Sequence, residues 1–234
     1  MSLLSIDTNA KTVKGQKKGF MTGILYMAPF TLSGVNLCPM AEKAQCHKAC
    51  LNTAGRGVFN SVKEARLRKA KYFNNDPQAF MLELVHDIKA LIRKADRENF
   101  VPIVRLNGTT DIRYENIKFK FDGEMVTIFE LFSNLQFYDY TKISNRKNIP
   151  ANYDLTYSYS GVASYQKYVQ IAIAAGMRVA AVFRHKADIP KNFLGLRVVD
   201  GDDSDLRHLD KKGVIVALVC KGKAKKDFSG FVVG

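Results

Sequence analysis

The sequence predicts a mixed α/β fold on a mostly parallel sheet, expected as a partial or irregular (β/α) barrel with a small β-hairpin insertion. Three observations carry this expectation. Apolar runs of strand length at 20–28, 102–106, 136–140, 155–159, 178–183, 196–199 and 214–219 alternate with helical segments and long polar loops, the pattern left by parallel strands and their crossovers. Polar residues gather directly after those runs, where parallel sheets place their sites. A chain of 234 residues, 47% apolar and 25% charged, is also long enough for one well-buried core.

In order along the chain, residues 1–18, with Lys11, Lys14, Lys17 and Lys18, read as a flexible basic arm, and 19–234 as a single α/β domain. FMTGILYMA at 20–28 is a buried strand stopped by Pro29. The cysteine-bearing stretch 33–57 is too long for a simple turn, which marks it as functional. Ser61 and Glu64 form a capping-box pattern for a first helix, whose Lys63, Arg66, Arg68, Lys69 and Lys71 would make a positive stripe able to track phosphates. Asp76-Pro77 opens a second helix, and Phe80, Met81, Leu84, Val85, Ile88, Leu91 and Ile92 keep its core-facing period. The run at 102–106 ends in Asn107-Gly108-Thr109-Thr110-Asp111. Asp122-Gly123 between 117–121 and 124–128 is a hairpin signal. A helical turn at 129–132 precedes the strand at 136–140, and a helix at 164–175 is closed by Gly176. In the tail, Phe228, Phe231 and Val232 are expected to dock on the core near 20–28.

The net charge is +14, and it is uneven: residues 1–72 hold 12 Lys and Arg against 3 Asp and Glu. Excess positive charge attracts polyanions by counterion release, so nucleic acid or a phosphorylated small molecule is the expected partner. No apolar run approaches the ~20 residues that span a bilayer, and no signal-peptide core is seen, so no membrane partner is expected. Four unevenly spread cysteines do not read as a disulfide framework, which points to a reducing cytoplasm.

Cys38, Cys46 and Cys50 fall within thirteen residues, and soft thiolates so close can converge on one metal ion or one iron–sulfur cluster. The C-x7-C-x3-C spacing matches neither paired zinc-finger cysteines nor the compact motif of most radical enzymes. The other reading is packing, since reduced cysteine behaves as a small hydrophobe. A structural zinc would need a fourth ligand, with His47, His86, His185 and His208 as candidates. Gly55-Arg56-Gly57 offers backbone N–H groups and a guanidinium to phosphate, or is a tight turn. Asp111, Asp139 and Asp200 are the acid, base or nucleophile candidates, or else caps. Asp200, Asp202, Asp203 and Asp205 would suit a hard cation or a solvated turn. Tyr157, Tyr159, Tyr165 and Tyr168 could stack bases or pack the core. No Ser-His-Asp order, Walker loop or dinucleotide glycine motif is present.

The stretches SGVNLCPMAEKAQCHKACLNTAGRG, VRLNGTTDI, QFYDYTK, VVDGDDSDLR and GVIVALVCKGKAKKDFSGFVV resemble the gene product 88 family of bacteriophage and prophage proteins, over about residues 19–233. The resemblance implies a phage-encoded protein working in the host-cell cytoplasm. It makes Cys38, Cys46, Cys50, Arg56, Arg105, Asn107, Asp111, Asp139, Lys142, Asp200 and Arg207 motif positions. A looser, architectural resemblance is to radical S-adenosylmethionine enzymes, which carry three cysteines after barrel strand one and a cofactor-binding polar motif after strand two. It implies a [4Fe–4S] cluster on Cys38, Cys46 and Cys50 with one iron open to S-adenosylmethionine, and Asn107, Thr109, Arg56 and Lys142 as cofactor-binding candidates. The expected function is a phage-encoded metallo-enzyme acting on nucleic acid or nucleotides. Two alternatives stay open. One is a base-exchange, DNA-modifying enzyme resembling the 7-deazaguanine transglycosylases, with Asp111 or Asp139 as nucleophile or base and zinc as a staple. The other is a zinc-stabilised nucleic-acid-binding accessory protein without catalysis.

Overall fold

A computed structural model describes residues 2–6 and 10–234. Its strands are β1 (Leu4–Ile6), β2 (Phe20–Leu25), β3 (Val101–Arg105), β4 (Phe119–Phe121), β5 (Glu124–Val126), β6 (Gln136–Thr141), β7 (Tyr153–Ser158), β8 (Val179–Phe183), β9 (Asn192–Phe193), β10 (Leu196–Asp200) and β11 (Ile215–Val219). The helices are α1 (Ala10–Gln16), α2 (Asn60–Asn75), α3 (Pro77–Arg97), α4 (Ile128–Leu131) and α5 (Gln166–Ala174).

Nine strands form one sheet in the order β1-β2-β3-β6-β7-β8-β11-β10-β9. The seven from β2 to β10 are mutually parallel, while β1 and β9 run antiparallel on the two edges. Among the described residues the edge strands do not pair with each other, so no closed barrel forms. The mostly parallel α/β sheet expected from the sequence is present. Its order breaks once, where β11 inserts between β8 and β10.

Side chains alternate across each strand, and the two faces are covered differently. On one face Met21, Leu25, Val104, Phe137 and Leu155 pack against Phe80, Leu84, Ile88 and Leu91 of α3. Tyr157, Val179, Ala181 and Ile215 continue that face against Val169 and Ala172 of α5. Helix α3 begins as its sequence dictates: the Asp76 carboxylate accepts the Ala79 N–H at 2.9 Å, and Pro77 fills the first turn. On the opposite face Ile103 and Tyr138 meet Leu206, from the connection between β10 and β11. That face also buries Arg105, whose guanidinium pairs with Asp205.

Several expectations are corrected. Within the stretch expected as a flexible arm, Leu4–Ile6 joins the sheet and Ala10–Gln16 is helical. Leu3 is fully buried, Asp87 accepts the N–H groups of Leu3 and Leu4 (2.6 and 2.9 Å), and the buried Lys69 ammonium donates to the Leu3 carbonyl at 2.6 Å. The positive stripe on α2 is therefore broken. Lys69 faces inward, and half-buried Arg66 donates to the Asn52 side chain at 2.5 Å, leaving Lys63, Arg68 and Lys71 outside. Helix α2 starts after Phe59 with no side-chain cap, so Ser61 and Glu64 do not form the capping box. The hairpin of β4 and β5 turns at Asp122 and Gly123, both with positive φ (50° and 92°), as its Asp-Gly signal requires. The tail buries Phe231 and Val232 but leaves Phe228 exposed. It bridges through Val233 to Phe183 of β8, far across the sheet from the expected place on β2.

Candidate metal centre

The long connection from β2 to α2 folds as successive turns held from several sides. The Asp111 N–H donates to the Leu37 carbonyl at 2.9 Å, and Ser160 Oγ donates to the Ala44 carbonyl at 2.8 Å. Gly57 lies so close to the Asn52 carbonyl that a Cβ would sit 2.3 Å from its oxygen, so this turn admits glycine alone. These pins fix the three cysteines of the loop beyond the carboxyl ends of β2, β3, β6 and β7.

The three thiols share one electrostatic neighbourhood. Cys38 is pushed up to about 12, first by burial and then by Asp111, Cys50 and Cys46, against a lowering hydrogen bond from the Phe30 N–H at 3.3 Å. Burial also raises Cys46 and Cys50, and the Lys142 ammonium opposes it at both. All three are thus protonated at neutral pH, and a metal must displace their protons to bind. Cys50 also accepts the Asn52 N–H at 3.4 Å.

Lys142 follows the last residue of β6 and is buried. Its ammonium donates to Ser158 O (3.1 Å), Ser158 Oγ (3.0 Å) and Tyr159 O (3.2 Å), and lies 4.7 Å from the Phe231 ring. Burial lowers its pKa, and Cys46, Asp111, Cys50 and Cys38 pull it back up. Asp111 lies beside it and pairs with another cation. Its carboxylate accepts Thr141 Oγ1 and the Lys142 N–H, both at 2.8 Å, and faces Arg146 at 3.6 Å. Burial raises the Asp111 pKa despite these partners.

The other expected site residues separate. The β3–β6 ladder ends at Val104–Phe137. Beyond it the fully buried Asp139 takes the N–H groups of Leu106 (3.1 Å) and Asn107 (2.9 Å) and the Tyr153 hydroxyl (3.0 Å). It is a pin between strands, with a pKa raised to about 6 by burial. Asn107 spends its side chain on Ile112 and Thr110 of its own loop and on the Tyr153 hydroxyl at 3.4 Å. Thr109 Oγ1 donates to the Met27 carbonyl at 2.6 Å, while the Thr109 carbonyl faces Cys38 Sγ at 3.8 Å. Arg56 is exposed, and the Gly57 N–H is already bound to the Ala54 carbonyl, so the Gly-Arg-Gly turn is not an open phosphate cradle. Asp200 is exposed, lies four strands from β6 and accepts the Asp202 N–H; it does not join Asp111 and Asp139.

Among the described residues, the three ligand atoms of Glu83, His86 and Asp87 are the sole His, Cys, Asp or Glu trio lying mutually within 4.8 Å. Asp87 there already clamps β1. The three cysteine sulfurs are therefore spread more widely than that limit. His47 Nδ1 is 3.1 Å from the Ala41 carbonyl and its ring packs on Phe30, while His208 packs on Phe20 and Tyr138. Cys220 shares a small apolar cluster with Ala49 and Cys46, and its thiol donates to the Arg184 carbonyl at 3.3 Å.

The family model for gene product 88 matches residues 2–233. The chain belongs to the gene product 88 family. No curated protein and no solved structure matches it. In this gene product 88 chain the sequence pointed to the cysteines, Asp111 and Lys142, which the fold does bring together. It missed Phe231 as the lid over Lys142, and Arg146 as the clamp joining Asp111 to Glu115. Neither has a local signal, since each acts through partners far away in the chain. No helix among the described residues is long and apolar enough to cross a membrane.

Proposed function

We propose that this chain is a phage-encoded metallo-enzyme that holds an iron–sulfur cluster on Cys38, Cys46 and Cys50 and acts on nucleic acid or nucleotides in the host cytoplasm. The supporting observation is the convergence of three pinned thiols on one buried cation, Lys142, beyond the strand ends. The donor set suits the group: thiolates are the ligands of iron–sulfur clusters. As they stand, the three sulfurs do not all lie close enough for one tetrahedral zinc, whose bonds of ~2.3 Å would hold its sulfurs ~3.8 Å apart.

When bound, a cluster with one iron free of protein ligands supplies electron transfer or Lewis-acid activation. The chain's own residues do the rest. Lys142 keeps a positive charge beside the sulfurs, which offsets the cost of three thiolates in a poorly solvated place. Asp111 and Thr141 fix the backbone that carries Lys142. Tyr165 and Phe231 flank the ammonium and exclude water. The Asn107 side chain is already spent on Ile112, Thr110 and Tyr153 and that of Thr109 on Met27, so they do not furnish a binding set for S-adenosylmethionine.

The test is spectroscopic. After anaerobic reconstitution with iron and sulfide, broad visible absorbance that dithionite bleaches is expected. Cys38→Ala, Cys46→Ala and Cys50→Ala should each lose it, and Cys220→Ala should retain it. Absorbance that survives the loss of any of the three cysteines rules out the assignment.

A further inference from the structure

Phe228 is 88% exposed, and it sits in an unusual setting. A single exposed aromatic needs no explanation, but this one is mounted. The Arg184 guanidinium lies 4.8 Å from its ring centre and is itself held by the carbonyls of Gly234 (2.7 Å), Lys225 (3.1 Å) and Asp227 (2.7 Å). Asp227 is buried and accepts Ser229 Oγ at 2.7 Å and the Val232 N–H at 3.2 Å. The backbone on both sides of the ring is thus anchored, with a fixed cation against the ring and most of its surface facing solvent.

Beside it, Lys223, Lys225 and Lys226 are exposed, and none is paired with a carboxylate among the described residues. The same segment touches the cysteine loop: Gly222 packs so closely on Ala54, four residues after Cys50, that a Cβ there would lie 2.9 Å from the Ala54 Cβ. Three residues beyond Phe228, Phe231 covers Lys142. A flat aromatic face among unpaired cations is the pairing that single-stranded nucleic acid uses, with bases on the ring and phosphates on the lysines. A duplex keeps its bases stacked on each other and cannot offer one to the ring.

We propose that residues 222–228 form a contact site for single-stranded nucleic acid, with Phe228 stacking on a base and Lys223, Lys225 and Lys226 meeting phosphates, so that the strand passes the cysteine loop. This names the substrate class of the function proposed above and rests on it, but its test is separate. The chain contains no tryptophan, so Phe228→Trp installs a single fluorescent reporter at the platform. Titration with a mixed-sequence single-stranded oligonucleotide should quench its fluorescence, whereas an abasic oligomer of equal length should bind through charge without quenching it. By anisotropy at fixed salt, Phe228→Ala should weaken binding ~5- to 150-fold. Replacing the three lysines by glutamine should flatten the salt slope by about 2. Equal affinity of Phe228→Ala and the parent, an unquenched reporter in Phe228→Trp, or equal affinity for a duplex of the same length would each overturn the platform, whatever the metal content.

Discussion

Replacing Lys142 by methionine tests whether the ammonium is a structural keystone of the site. Methionine keeps the length of the side chain and removes its charge and all three donors. The carbonyls of Ser158 and Tyr159 then lose contacts of 3.1 and 3.2 Å, and Ser158 Oγ one of 3.0 Å. Ser158 O keeps a weak bond from the Tyr165 hydroxyl at 3.4 Å, so about two acceptors are stranded, at ~1–3 kcal/mol each. Against that ~2–6 kcal/mol, an apolar side chain beside Phe231 and Tyr165 recovers ~1.5–3 kcal/mol. It also avoids the desolvation of a buried ammonium. Central values of the two terms, ~4 and ~2 kcal/mol, leave a net destabilisation of ~2 kcal/mol, read as a lower midpoint in urea at unchanged slope. A Lys142→Met protein as stable as the parent, or more so, would mean that the three contacts do not hold the ends of β6 and β7 together, and the reasoning fails.

Deleting residues 229–234 removes buried Phe231 and Val232 and the Val233 bridge to β8. It should lower stability by up to ~3–6 kcal/mol, and an unchanged melting curve would show that the tail is not docked. Asp139 should titrate near 6 by carbon-detected NMR, against ~3.9 for an ordinary aspartate. Because the folded value is raised, its contribution to stability is greatest below ~3.9 and falls as pH rises through about 6; a midpoint at or below 4 contradicts its burial. Asp87→Ala strands the N–H groups of Leu3 and Leu4 at ~1–3 kcal/mol. It should erase hydrogen-exchange protection in β1 while sparing β6, and protected β1 amides in that variant would refute the clamp.

The parts of this fold that could be read from the sequence are those whose cause is local. Asp76-Pro77 and a sustained apolar period specify α3, and Asp122-Gly123 specifies its hairpin. The parallel core strands stand out as apolar runs because both their faces are buried. What could not be read is held by distant partners. Strand β1 has three residues and is placed by Lys69 and Asp87; β9 has two. The positive stripe failed for the same reason, since nothing near Arg66 or Lys69 in sequence reveals Asn52 or the Leu3 carbonyl. At the candidate site, three cysteines within thirteen residues were enough to propose a shared metal or cluster, and position after a strand was enough to flag Asp111 and Lys142. That rule also flagged Asp139 and Asp200. It cannot distinguish a carboxylate facing the site from one that ties two strands together, or from one at the exposed end of a strand four strands away.

The most direct measurement of the central claim is elemental analysis of the protein purified without oxygen. Three cysteine ligands and one open iron predict about four irons per chain with matching sulfide, and negligible zinc. About one zinc per chain and no iron would contradict the cluster and support a thiolate–zinc staple. No metal after reconstitution, with three freely alkylated thiols, would reduce Cys38, Cys46 and Cys50 to packing residues.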